Sequence, residues 1–216
     1  MQITTIGLDI AKNVFQVHGI DAAEKVVVRK QLRRSQVLAF FKTLPPCLIG
    51  LEACATAHYW SRELTKLDHQ VRMMPAICEA VRRPTMRFVQ IKSAEQQGRL
   101  MLHRTRDLLM RQRTQVINAL RAHLAELGIT SAQGREGLKE LLKIVASDAD
   151  ERLPADARAS LVMLAAELRA MQTLIGLIEK RIMTQHRGNE ASKRLRTIPG
   201  IGIIGATALA APGTDR

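Results

Sequence analysis

Two carboxylates stand where a pair of strands could present them together. Residues 3–8 form a short apolar run that leads into Asp9 and then Ile10-Ala11-Lys12; residues 47–51 form a second such run that leads into Glu52. A buried strand that finishes in an acid delivers a charge to the rim of a sheet, where water or a cation can reach it. If the two strands lie side by side, Asp9 and Glu52 meet and can share a divalent metal ion. The plainer alternative makes Asp9 the start of a turn and Glu52 an acid at the start of the next helix, where negative charge is favoured.

The second kind of chemistry is basic. Arg99, Arg106 and Arg113 recur every seven residues with Arg104 and Arg111 nearby, and Asp107 is the acid interleaved among them. Gathered on one stripe of a helix, five guanidinium groups would suit the phosphates of a polynucleotide; a solvated helix face is the alternative. No aromatic residue interleaves with them, which favours backbone contacts over base stacking. Further along, Lys193, Arg194 and Arg196 precede Ile198-Pro199-Gly200-Ile201-Gly202. That segment has the form of a helix-hairpin-helix turn, in which Gly200 and Gly202 let backbone N–H groups approach a phosphate.

Composition supports a polyanionic partner. The chain of 216 residues carries 33 lysines and arginines against 20 acids, a net charge of +13, and 46% of its residues are hydrophobic. That is enough apolar material for a core, and nucleic acid is the expected partner. No apolar run looks long enough to span a bilayer and the N-terminus has no signal-peptide pattern, so the expected location is cytoplasmic, with no membrane contact. Cys47, Cys54 and Cys78 form no CxxC pair and sit among apolar neighbours, as reduced core thiols do.

The elements that must position these groups follow from periodicity. Strands are expected at residues 3–8, 14–20 and 25–33 as a meander, then a helix from an N-cap at Ser35 to Leu44. A strand over 47–51, a helix over 57–67 and a strand over 70–74 complete an α/β unit, residues 1–92, in the element order of the ribonuclease-H-like fold with a mixed sheet. Ser93-Ala94-Glu95-Gln96 has the form of a capping box, and the helix behind it runs to Leu127, roughly 50 Å. A helix over 137–146 and a second long one from Pro154 to His186 follow. Leu161, Leu164, Leu168, Met171, Ile175, Ile178 and Ile182 give the latter a heptad seam, so residues 93–190 are expected to form a coiled-coil region. Its partner could be the first long helix or another copy of the chain. Residues 191–216 open a further segment that looks cut short.

Together, Gly7-Leu8-Asp9-Ile10-Ala11-Lys12-Asn13, Gly50-Leu51-Glu52-Ala53-Cys54, Ser93-Ala94-Glu95-Gln96-Gln97 and Thr197-Ile198-Pro199-Gly200-Ile201-Gly202 resemble the DEDD-type insertion-sequence transposases. These are relatives of the pilin-gene inverting recombinases, and some are guided by a bridge RNA. The resemblance covers almost the whole chain. It implies a ribonuclease-H-like domain, a coiled-coil arm and a C-terminal transposase domain opening with the Ile-Pro-Gly-Ile-Gly hairpin. It also implies four carboxylates that bind Mg2+, with Asp9 and Glu52 as the first two, and a nucleophilic serine in the C-terminal domain. DNA, a guide RNA and further copies of the chain are the implied partners.

Two departures from the family pattern touch chemistry. The segment that carries the last two acids is missing after Pro75, where Ala76-Ile77-Cys78-Glu79-Ala80 follows at once. Asp68 and Glu79 are the acids nearest to that gap. None of the serines present matches the position of the nucleophile. The expectation is therefore a transposase-family protein, catalytically incomplete, with a non-catalytic, oligomerising nucleic-acid-binding remnant as the alternative. A more distant alternative is an actin-like ATP-dependent kinase, which also begins with a strand ending in Asp. Ala11 stands where its phosphate loop would want glycine.

Overall fold

The computed structural model describes residues 3–74 and 88–212. The chain divides into two compact units, Met1–Glu95 and Gln96–Arg216.

In the first unit, β1 (Thr5–Ile10), β2 (Val14–Ile20) and β3 (Val26–Arg33) form an antiparallel meander. A 3-10 turn at Arg34–Gln36 and helix α1 (Val37–Lys42) carry the chain over to β4 (Leu48–Glu52), and α2 (Ala57–Thr65) carries it to β5 (Gln70–Met74). Both crossovers lead to parallel neighbours, so the sheet order is β3-β2-β1-β4-β5. The alternation of the strands decides which face is covered. Ile6, Leu8, Phe15, Val17, Ile49, Leu51 and Met73 share one face and pack against Val37 and Phe41 of α1 and Trp60 and Leu64 of α2. Each such side chain, fully buried, contributes about 1.5–3 kcal/mol.

Several expectations shift by a few residues. β1 is extended to Ile10 because Asp9 and Ile10 still pair with Gln16 and Phe15, so Asp9 lies inside the ladder and not beyond its end. Ser35 does not cap a helix: it lies within the 3-10 turn, whose entry is fixed by Gln36 Oε1 accepting from the Arg33 N–H at 2.9 Å. Cys47 is the buried thiol expected, pushed up to about 11 by burial, whereas Cys54 is exposed because it sits in the loop after β4. His69 closes the layer beneath Cys47. Its Nδ1 accepts from the Cys47 N–H at 3.2 Å, which leaves Nε2 to donate to the Phe41 carbonyl at 3.1 Å.

In the second unit, α3 (Ala94–Glu126) and α5 (Ala155–Arg187) are 33 residues each. They pair antiparallel, because Arg106 on the early part of α3 bridges Glu179 late on α5 while Leu120 and Leu124 pack with Leu161 and Leu168. Helix α4 (Arg135–Ala146) fills the closed end with Leu141 and Val145. The seam read on α5 is buried at Leu161, Leu168, Met171, Ile175 and Ile182, and α3 of the same chain covers its first part. Gly137 enters α4 against the preceding turn: a Cβ there would stand 1.9 Å from the Ala132 carbonyl oxygen. By length and composition alone α5 could cross a membrane, contrary to the sequence expectation, since the seam and the exposed Val162, Met163, Leu174 and Leu177 together make it apolar on more than one side.

The unit ends in α6 (Glu190–Arg196) and α7 (Ile203–Ala210), which pack on each other and on α5. Asn189 caps α6, its side chain accepting from the Ser192 N–H at 2.9 Å. Between them the Ile201 N–H donates to the Ile198 carbonyl at 3.1 Å across Pro199 and Gly200, with Gly200 at φ +85°. That is the geometry of a type II turn, which places proline second and needs glycine third.

Candidate functional site

The acids come from two strands that pair in parallel. The β1–β4 ladder joins Thr5 to Leu48, Ile6 to Ile49, Gly7 to Gly50 and Leu8 to Leu51, so the next step of the same register sets Asp9 beside Glu52. Residues in register on neighbouring strands point to the same face, and here it is the face away from α1 and α2. Asp9 is exposed and flanked by Gln16 on β2; Glu52 is half-buried and flanked by Met74 on β5. Both lie at the carboxyl ends of parallel strands, the usual place for sites in open α/β sheets.

Among the described residues no group of three or more histidines, cysteines, aspartates or glutamates could hold a metal ion together. Asp68 belongs to the turn between α2 and β5, where it adopts φ +63°, and Glu79 lies outside the described residues. Among the described residues the donor set is therefore two carboxylates. It fits one hydrated magnesium ion, which takes one or two carboxylates and completes its octahedron with water and phosphate oxygens. It falls short of a two-ion site, whose ions about 3.5–4 Å apart need several bridging oxygens.

The arginines on α3 form two rows instead of one stripe. Residues two apart on a helix point to nearly opposite sides, so Arg104 and Arg111 diverge from Arg99, Arg106 and Arg113. The latter three are half-buried toward the rest of the unit, while Arg104 and Arg111 are exposed. Arg106 is committed within the chain, its guanidinium 2.7 Å from Glu179, and the Nε of Arg113 is buried without a partner. Arg111 pairs with Asp107 on its own helix at 3.1 Å, exposed on both sides. At the hairpin, Lys193 pairs with Glu190 at 2.7 Å, Arg194 and Arg196 are exposed beside it, and Gly202 starts α7 in an extended conformation. Arg99 also lines a cavity of about 200 Å³ with Asn189 and Thr207, close to the hairpin helices.

One feature of the first unit was not legible in the sequence as a site. An open groove of about 760 Å³ lies where β1 turns into β2, β3 ends and α2 begins, lined among others by Asn13, Arg33, Arg34, Ser35, Tyr59 and Trp60. Arg34 lies over the Trp60 ring at 5.2 Å, and its Nη1 donates to the Lys12 carbonyl at 3.5 Å. The adjacent basic pair at 33 and 34 was the available signal, and Tyr59 and Trp60 stand side by side on α2. Trp60 is in the core; Tyr59 is not.

No protein-family model matches the sequence. Among curated proteins it is similar to the "Probable family 20 transposase" of Pseudomonas aeruginosa, 43% identical over 235 aligned positions that take in 100% of this chain and 70% of that protein. The "Transposase for insertion sequence element IS1328" of Yersinia enterocolitica is 34% identical across 96% of this chain and 67% of its own length. The "Transposase for insertion sequence element IS1111A" of Coxiella burnetii is 34% identical across 99% of this chain and 64% of its own length.

Proposed function

Because the chain belongs to the family of insertion-sequence transposases, we propose that it binds the family's nucleic acid without carrying out complete strand cleavage and joining. The observation that carries this is the acid pair. Asp9 and Glu52 stand in register with no third acid gathered to them among the described residues. The alignment with the Pseudomonas protein points the same way: its 235 positions exceed the 216 residues of this chain by 19, so the relative has residues with no counterpart here. We place at least part of that difference after Pro75, where the resemblance expects the acid-bearing segment. The strand order of the first unit supports reading it as a ribonuclease-H-like domain.

Asp9 and Glu52 would hold a magnesium ion, which supplies positive charge to a phosphate when bound. Arg104, Arg111, Arg194 and Arg196 offer exposed guanidinium groups to backbone phosphates, and the Gly200 turn leaves the N-terminus of α7 open to one. DNA is the primary ligand, a guide RNA the second, and the exposed apolar residues of α5 offer a surface to another copy of the chain. The test measures binding of duplex DNA by the purified chain with and without magnesium, then nicked product on the same samples. Binding without nicking is the expected result. Magnesium-dependent nicking abolished by Asp9→Asn would instead restore the complete enzyme.

A further inference from the structure

The groove beside α2 combines groups that a duplex does not need. Tyr59 is 44% exposed and meets Trp60 edge to face with ring centroids 5.3 Å apart, so one face of its ring is held in place and open. Arg34 stacks over Trp60 at 5.2 Å and reaches Phe15 at 6.0 Å, which holds its planar guanidinium against an aromatic floor. Arg33 and Ser35 flank it, Asn13 adds an amide, and among the described residues no acid lines the groove. Trp60 forms part of the groove wall and is 97% buried, and its Nε1–H is buried with no acceptor among the described residues. The volume, about 760 Å³, falls within the range of small-ligand sites, about 300–1,000 Å³.

These groups select their ligand by chemistry. Cationic walls exclude a cation as the occupant of the aromatic face. An acidic peptide would use the arginines but has no use for a tyrosine platform. A group with an anionic end, a flat face and acceptors at its edge uses all of them, and a nucleotide is such a group. Its base must be unpaired and unstacked for Tyr59 to reach a face.

We infer that the groove is a binding site for a single unpaired nucleotide: the base stacks on Tyr59, its edge meets Asn13, and its phosphate lies between Arg33 and Arg34. The groove opens at the same end of the sheet as Asp9 and Glu52, since β1, β3 and β4 all finish there. The groove lies on the α1 and α2 side of the sheet, whereas the acid pair stands on the other side. The nucleotide site rests on the nucleic-acid reading above and adds strand state to it.

Trp60 is the only tryptophan of the chain, so its fluorescence reports on this groove alone. The full chain is titrated with a thymidine decamer, a uridine decamer and a DNA duplex of the same length, following Trp60 emission and, separately, the anisotropy of labelled strands. Either decamer is expected to change Trp60 emission saturably while the duplex leaves it unchanged, and the tighter decamer identifies DNA or RNA as the source. Tyr59→Ala is expected to weaken single-strand binding about tenfold, as loss of a stacking platform does, with duplex affinity kept within about twofold. Arg33→Gln, at an exposed side chain, gives the same pattern without touching the core. If single strands bind by anisotropy with no change at Trp60, or if Tyr59→Ala weakens duplex binding equally, the groove is not the site and the family reading stands. If neither single strands nor duplex bind, both fall.

Discussion

At the level of single residues, four positions have consequences that differ in kind. Asp9 is exposed and Glu52 half-buried on the face of the sheet away from α1 and α2, so changing them leaves the core of the first unit intact. Asp9→Asn or Glu52→Gln is expected to weaken magnesium binding, read by calorimetry, while duplex affinity without metal stays the same. A parallel fall in metal-free duplex affinity would make the acids structural. Gly137 is the opposite case. A methyl group at 1.9 Å from the Ala132 oxygen forces the turn before α4 to move, so Gly137→Ala should cost about 1–3 kcal/mol in denaturant unfolding. Gly200→Ala places a side chain at φ +85° and should cost about 1–2 kcal/mol of hairpin stability, with loss of any phosphate contact made by that turn. The Pro-Gly turn was legible because it depends on local chain chemistry. Gly137 was not, since nothing in the sequence shows which backbone atom comes near it.

At the level of elements, the seven-residue spacing of the arginines was legible and their division was not recognised. A helix turns 100° per residue, so positions 104 and 106 point nearly opposite ways, and only one row can face solvent. Arg104→Ala and Arg111→Ala should each flatten the salt dependence of duplex binding by about one unit of slope. Arg106→Ala should leave the slope unchanged and cost less than about 1 kcal/mol, since its bridge to Glu179 is partly exposed. The seam of α5 was equally plain in the sequence, but its partner depends on how the turn and α4 fold back, which periodicity does not encode. A pH effect belongs to α2. His58 accepts from the Lys92 N–H at 3.0 Å, and burial, then the charges of Lys92 and Arg62, hold its pKa below the ordinary 6.5. The unfolded chain therefore takes up that proton first on acidification. The stabilisation is present above pH 6.5 and lost as pH falls through the lower folded value, and His58→Gln should remove this component from an unfolding series over that range.

At the level of the whole molecule, charge and the two-unit architecture matter more than any one contact. A net charge of +13 on 216 residues gives long-range attraction to any polyanion, and on the reading proposed above the exposed arginines, the hairpin and the groove would give it location. The alternation of strands and helices made the mixed sheet readable from sequence. The groove was not, because it is assembled from a hairpin turn, a strand end and a helix that lie far apart along the chain. The central claim is nucleic-acid binding without strand cleavage. It is tested most directly by incubating the purified chain with supercoiled DNA and magnesium under conditions where binding is saturated, and resolving the product on a gel. Retarded but intact supercoiled DNA is the result predicted. Nicked or joined product that disappears in the Asp9→Asn variant would contradict it and show a complete active site.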